Sequence, residues 1–213
     1  MVAWGQLDSV DLTKVHDRKV ERIISTNQQS LEPLSACYDP VDSSQYTQHV
    51  ARFEVEESLD VVWERYTNAR LEEAWNNRKM RLRCLVTQSN SKAHYRGDSY
   101  QGLERGQLVF LKLKLAGGLL RLGVGFEIKD INEQERTITY CYIRNGKSEG
   151  TQSIQFTSLP NGKTQILHVT HYKSDSKFRD QRLYPYYHER AIIALHASFN
   201  HMSLRQCRRQ FSS

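Results

Sequence analysis

Val124–Tyr172 reads VGFEIKDINEQERTITYCYIRNGKSEGTQSIQFTSLPNGKTQILHVTHY. Val124, Phe126 and Ile128 alternate with Gly125, Glu127 and Lys129, the period of two of a half-buried strand. A polar loop follows at Asn132–Arg136, and Ile138, Tyr140 and Tyr142 alternate on the return strand. Asn145 with Gly146 is a turn signal. Ser153–Thr157 is the next strand, Pro160–Gly162 a tight turn, and Thr164–Tyr172 its partner. The segment therefore reads as three or four strands with turns at regular intervals.

Helices flank this run. Upstream, Ser58 caps a helix in which Leu59, Val62, Trp63 and Tyr66 fall at i, i+3, i+4 and i+7, one face of an α-helix. Downstream, Pro185 suits a first helical turn, and Ile192, Leu195, Phe199 and Met202 recur at i, i+3, i+7 and i+10. His49–Val55 alternates as a first strand, and Met80–Val86 as another, with Met80, Leu82, Cys84 and Val86 inward. After a glycine-bounded loop at Gly97–Gly106, Gln107–Leu115 sets Val109, Leu111, Leu113 and Leu115 on one face. Leu108 and Phe110 share the other with Lys112 and Lys114, so that face is partly covered. Gly117 and Gly118 make a turn, and Lys173–Asp180 reads as a polar loop. The expected fold is α+β: a curved antiparallel sheet wrapped around a long C-terminal helix, with an N-terminal extension.

We divide the chain into an extension, residues 1–45, and a domain, 46–213. In the extension, Val10–Ile24 reads as an amphipathic helix through Val15, Val20, Ile23 and Ile24. Ser25–Asp42 reads as an extended arm packed through Leu31 and Leu34. The chain has 213 residues, long enough for one sizeable core. A net charge of +6 permits an anionic partner without requiring one, and nucleic acid is disfavoured because the basic residues are spread out. Their one local cluster is Arg205, Arg208 and Arg209, which reads as complementing a helix end.

None of Cys37, Cys84, Cys141 and Cys207 forms a C-x-x-C pair. Cys84 and Cys141 sit in apolar strand patterns and read as buried thiols, so a reducing, cytoplasmic setting is expected. The N-terminus has no basic and apolar leader pattern, and no apolar run is long enough to span a membrane.

Three stretches resemble the START/Bet v 1-like superfamily, the helix-grip fold. Phe53–Trp63 (FEVEESLDVVW) looks like its opening strand and helix with a buried tryptophan. Gly125–Tyr140 (GFEIKDINEQERTITY) is similar to its aromatic hairpin, and Leu159–Thr170 (LPNGKTQILHVT) to the hairpin before the final helix. The likeness covers roughly residues 48–206. It implies a hydrophobic ligand held between sheet and long helix. The superfamily includes lipid and hormone carriers, cyclases and aromatases, and co-chaperone domains.

Candidate chemistry is sparse. His168 and His171 lie three apart on a strand and face opposite sides. His188 and His196 span eight helical residues, about 12 Å of rise, too far to share one metal ion. No metal site and no cofactor is expected. The glycine-rich Gly117–Gly125 lies between strands and opens no helix, so it is not a phosphate cradle. The Tyr184–Arg190 run, with three tyrosines at a helix start, reads as a lid, a contact site or plain packing.

Three functions compete. The leading one is binding of a hydrophobic small molecule or lipid in a cavity lined by Val109, Leu111, Phe126, Tyr140, Tyr142, Ile192, His196 and Phe199. The second is a cyclase-, aromatase- or hydrolase-type enzyme. In it His171 or His188 acts as acid–base, an imidazole titrating near neutrality, and Tyr140 and Tyr142 orient the ligand. The third is an interaction module with a filled core, binding a protein, membrane or nucleic acid. The sequence leaves ligand identity and oligomeric state open.

Overall fold

The structure, a computed structural model, describes residues 6–70 and 74–199, and the backbone of 204–206. Helix α1 is Arg18–Gln28, α2 Leu59–Asn68 and α3 Tyr184–Ser198. The strands are β1 (Ser35–Ala36), β2 (Thr47–Val55), β3 (Met80–Val86), β4 (Ala93–Tyr95), β5 (Leu108–Leu115), β6 (Leu120–Asn132), β7 (Thr137–Ile143), β8 (Glu149–Ser158), β9 (Thr164–Lys173) and β10 (Leu204–Gln206).

All the strand pairings are antiparallel, and the sheet order is β10-β2-β9-β8-β7-β6-β5-β3-β4. On a flat sheet β2 and β3, six steps apart at about 4.8 Å each, would lie ~29 Å from one another. Instead Phe53 and Val55 of β2 share one continuous core with Met80 and Leu82 of β3, closed over by Ile192 and Leu195 of α3 and by Phe199 just past its end. The sheet therefore curves around α3. Register shifts in β3/β5 after Leu82 and in β6/β7 after Ile128 supply local bends of the kind bulges impose.

The convex face is covered too. Leu108 and Phe110, on the lysine side of β5, are fully buried beneath Val15, Val20, Ile23 and Ile24. The extension's helix thus builds a second core on the outside of the sheet. Its start is later than the apolar pattern indicates. Leu12–Lys14 is a 3-10 turn, His16 takes a left-handed φ of 54°, and only then does Asp17 cap α1. The Asp17 carboxylate accepts from the amides of Lys19 and Val20 and meets Lys112 Nζ of β5 at 2.6 Å, tying cap to sheet. Burial pushes this carboxyl up, but Lys112 and the amides outweigh it and hold it below its ordinary value. At Gly123 of β6 any Cβ would stand 3.0 Å from the Lys19 backbone, so the helix docks where the strand has no side chain.

The arm differs from its reading as well. Leu31 is 76 % exposed, whereas Leu34 packs on the outer core. β1 pairs Ser35 and Ala36 with Ile143 and Tyr142, filling the gap where β8 leaves the end of β7. Next to it Cys37 and Cys141 form a disulfide. Cys141 is therefore half of a cross-link, not the buried thiol its strand pattern suggested. Periodicity reports that a side chain is buried and cannot report that a distant cysteine lies beside it. Among the described residues Cys84 is the buried free thiol, pushed up to about 12 chiefly by burial.

The supposed polar loop before α3 is partly helical. Arg179–Leu183 forms a π-turn that runs directly into α3. Pro185 lacks the N–H that would bond one turn back, and the wider turn before it absorbs that loss. Met202, Cys207, Arg208, Arg209 and the side chain of Arg205 lie outside the described residues.

Candidate functional site

A cavity of about 310 Å³ lies between the sheet and the first half of α3. Its floor is Leu113 and Leu115 of β5 with Leu122 and Val124 of β6, its side is Tyr142 and Ile143 of β7, and its roof is Leu183, Tyr184, Tyr187, His188 and Ala191. Leu113 and Leu115 on β5, and Leu122 and Val124 on β6, keep the two-residue spacing of one strand face, and Tyr184, His188 and Ala191 the spacing of one helical stripe.

Few polar groups enter it. The Tyr142 and Tyr184 hydroxyls bond to one another across the gap. Burial pushes Tyr142 up to about 12, an effect the Tyr184 bond partly offsets, and burial raises Tyr184 well above its ordinary value. Both are neutral near pH 7, so one proton of the pair points outward as a donor. Tyr184 is held from behind by Tyr172, stacked at 3.5 Å, whose own hydroxyl donates to the Asp180 carbonyl at 2.5 Å. Asp180 is in turn fixed by the Ser174 amide and hydroxyl at 2.9 and 2.6 Å.

His188 stacks on the other side of Tyr184, at 4.8 Å, and leads away from the cavity. Its Nδ1 meets Nδ1 of His49 at 3.3 Å, and its Nε2 meets Gln152 Oε1 at 3.2 Å. Gln152 Nε2 lies 2.7 Å from His168 Nδ1, His168 Nε2 lies 3.2 Å from His196 Nε2, and His196 Nδ1 bonds the Tyr66 hydroxyl. One assignment satisfies every link with neutral rings: His49 donates to His188, His188 to Gln152, Gln152 to His168, His168 to His196, and His196 to Tyr66. Flipping the Gln152 amide reverses every arrow and works equally well. A proton added to one inner ring turns every bond on either side to point away from it, and a second added proton would place donor against donor.

Burial is accordingly the main cause that pulls all three inner histidines down. His188 and His196 fall to about 3, and His168 lies well below its usual value, with its histidine neighbours lowering it further. Thr170 pairs in register with both His49 and Gln152, and its buried hydroxyl has no protein partner.

Of the ligand-lining candidates, the cavity brings in only Tyr142. Val109, Leu111, Phe126, Tyr140, Ile192 and Phe199 are packed in the inner core, with Tyr140 and Phe126 ring to ring at 5.2 Å, while His196 is consumed in the histidine chain. Of the catalytic candidates, His188 is at the cavity with both nitrogens engaged. His171 sits on the convex face, stacked on Tyr38 at 4.2 Å and bonded to Gln48 at 3.0 Å. His168 and His171 do face opposite sides of β9. Tyr184, singled out in the sequence as part of a lid, a contact site or plain packing, lies in the roof, whereas Gln152, His49 and Tyr66 were missed. Gln152 had a visible signal: it sits in phase with the inward Ile154 and Phe156 of β8.

No family model matches the chain, and no curated protein matches it. Solved structures do. Ginseng major latex-like protein 151 from Panax ginseng superposes with a TM-score of 0.51 at 11 % identity, over 72 % of this chain and 95 % of that one. Truncated norcoclaurine synthase from Thalictrum flavum gives 0.51 at 13 % identity, over 73 % and 92 %. The same enzyme in complex with dopamine and hydroxybenzaldehyde gives 0.50 at 11 %, over 80 % and 94 %. At such identities the likeness establishes the fold: this chain has the helix-grip architecture of START/Bet v 1-like proteins.

Proposed function

We propose that the protein binds a hydrophobic small molecule or lipid in the cavity between β5–β7 and α3. The observation that carries this reading is the cavity itself, about 310 Å³ within a sheet whose remaining concave face is closely packed. Aliphatic and aromatic side chains make most of its wall, and the Tyr142–Tyr184 pair gives a ligand one hydrogen-bonding partner. Apolar walls with a few converging polar groups are the usual composition of ligand sites. The site sits nearer the start of α3 than the sequence alone indicated.

Native mass spectrometry of the purified protein, before and after gentle denaturation, tests this. A retained apolar small molecule released on denaturation supports it, and its mass gives the ligand class. A clean apo mass, together with no uptake of a hydrophobic dye by the folded protein, turns the reading toward an interaction module.

The enzyme alternative draws on the Tyr pair and His188. For His188 to take a proton from a ligand it would have to give up Gln152 or His49, so a role in holding Tyr184 fits its surroundings better. A membrane-crossing helix is absent among the described residues. The Cys37–Cys141 bond favours an oxidising setting over the reducing one expected from the cysteine pattern.

A further inference from the structure

We propose that the mouth of this cavity selects its ligand by charge and takes a single-chain amphiphile with an anionic head group; the inference rests on the reading of the cavity as a ligand site. Four charged side chains line the cavity and all are cations: Lys19, Arg121, Lys147 and Arg179. They come from α1, the start of β6, the β7–β8 turn and the π-turn before α3, four segments far apart in sequence. No Asp or Glu is among the described lining residues.

Two of the cations are clipped in place. Lys19 Nζ donates to the Arg121 carbonyl, and Arg179 Nη2 donates to the Lys147 carbonyl, so one clip joins α1 to β6 and the other joins the π-turn to the β7–β8 turn. Arg179 also faces Asp175 at 3.1 Å, but that carboxylate is 76 % exposed, and the buried Nε of Arg179 has no partner. Lys19, Arg121 and Lys147 are exposed, which marks the solvent end of the cavity, while Tyr142 and Tyr184 are half-buried in its wall.

Low-dielectric walls focus the field of charges set at their edge, so an anion at this mouth gains from all four cations together. The volume lies at the small end of ligand cavities, suited to one alkyl chain or a compact ring system rather than a two-chain lipid. The bland alternative is that the lysine and arginine stems merely cover apolar surface while their heads face water. The two differ in one respect: under the alternative a neutral ligand of the same chain binds equally well.

The test uses the full chain and three twelve-carbon probes, dodecanoate, dodecanol and dodecylammonium, below their micellar concentrations. Each displaces a neutral apolar fluorescent dye at low salt. Dodecanoate is expected to compete about tenfold better than dodecanol, with dodecylammonium weakest, since each exposed cation contributes a few-fold at most. The preference should shrink as salt is added. In the double variant Arg121→Glu/Lys147→Glu, with folding checked by its melting curve, the anion-to-alcohol ratio should collapse. Equal competition by all three probes in the unaltered protein overturns the inference and leaves the pocket reading standing, as does a preference that survives the double reversal. Dye uptake absent and none of the three bound overturns the pocket reading, and this inference with it.

Discussion

His168 of β9 and His196 of α3 meet Nε2 to Nε2 at 3.2 Å, both with no exposed surface. One must donate and the other accept, so the pair cannot survive protonation of both rings. Gln152 and Tyr66 close its two ends, so this pair helps tie the final helix to both the sheet and α2.

Acid should therefore loosen the fold. The folded-state values of these histidines lie below the unfolded value of 6.5, so the unfolded chain binds more protons below that pH. The contribution is complete above pH 6.5 and is lost as pH falls, for His196 toward about 3, by about 1.4 kcal/mol per unit. Urea midpoints between pH 4 and 8 should fall on the acid side, and the slope should flatten in His168→Leu/His196→Leu. Imidazole nitrogen shifts at pH 6 give an independent reading. A protonated pattern for these two rings in the folded protein would falsify the neutral chain.

Reducing the Cys37–Cys141 bond should lower the melting temperature substantially. It closes a span of 104 residues, for which chain entropy assigns about 4–5 kcal/mol, an upper figure because strain and residual structure subtract from it. Melting with and without reductant, and with Cys37→Ser, measures this. Alkylation of the unreduced, unfolded protein should leave Cys37 and Cys141 unlabelled; labelling of both removes the bond from the account.

Asp17 both caps α1 and neutralises Lys112, with side-chain exposures of 7 % and 16 %. Asp17→Ala should cost about 3 kcal/mol, the loss of a cap plus a stranded, mostly buried ammonium. Asp17→Ala/Lys112→Met should recover most of the second part. Denaturant unfolding of the four proteins in this cycle gives the coupling directly, and a coupling near zero would show the ion pair to be incidental.

Filling the cavity should separate ligand binding from stability. Ala191→Phe projects a ring into the open space and should abolish dye or ligand uptake while changing the midpoint by less than about 1.5 kcal/mol. Phe126→Ala, in the packed core beside Tyr140 and Trp75, should instead cost about 3–5 kcal/mol. If Ala191→Phe is the more damaging of the two, the space beneath α3 is not a cavity.

The strands from Val124 to Tyr172, the helix capped at Ser58 and the long final helix were legible in the sequence because each is a local periodicity. A side chain that alternates, or recurs every third or fourth residue, states which face is inward whatever it packs against. The same periodicity marked Leu108 and Phe110 as partly covered, but the cover was α1, more than 80 residues away, and nothing local could name it.

The sequence by itself thus determined the main strands and helices, their inward faces and the helix-grip order, but not β1, β4, β10 or the π-turn before α3. Tertiary structure alone decided what meets on those faces. Val109, Phe126 and Tyr142 all read as inward, yet only the curvature of the sheet and the seating of α3 divide them into packed core and cavity wall. Gln152, His168 and His196 lie on three elements, and they became one chain only when β8, β9 and α3 closed on each other. Cys37 reached Cys141 for the same reason. Burial is a property of one residue's pattern, whereas a cavity, a hydrogen-bond chain or a disulfide is a relation between residues whose distance is set by how the sheet curves.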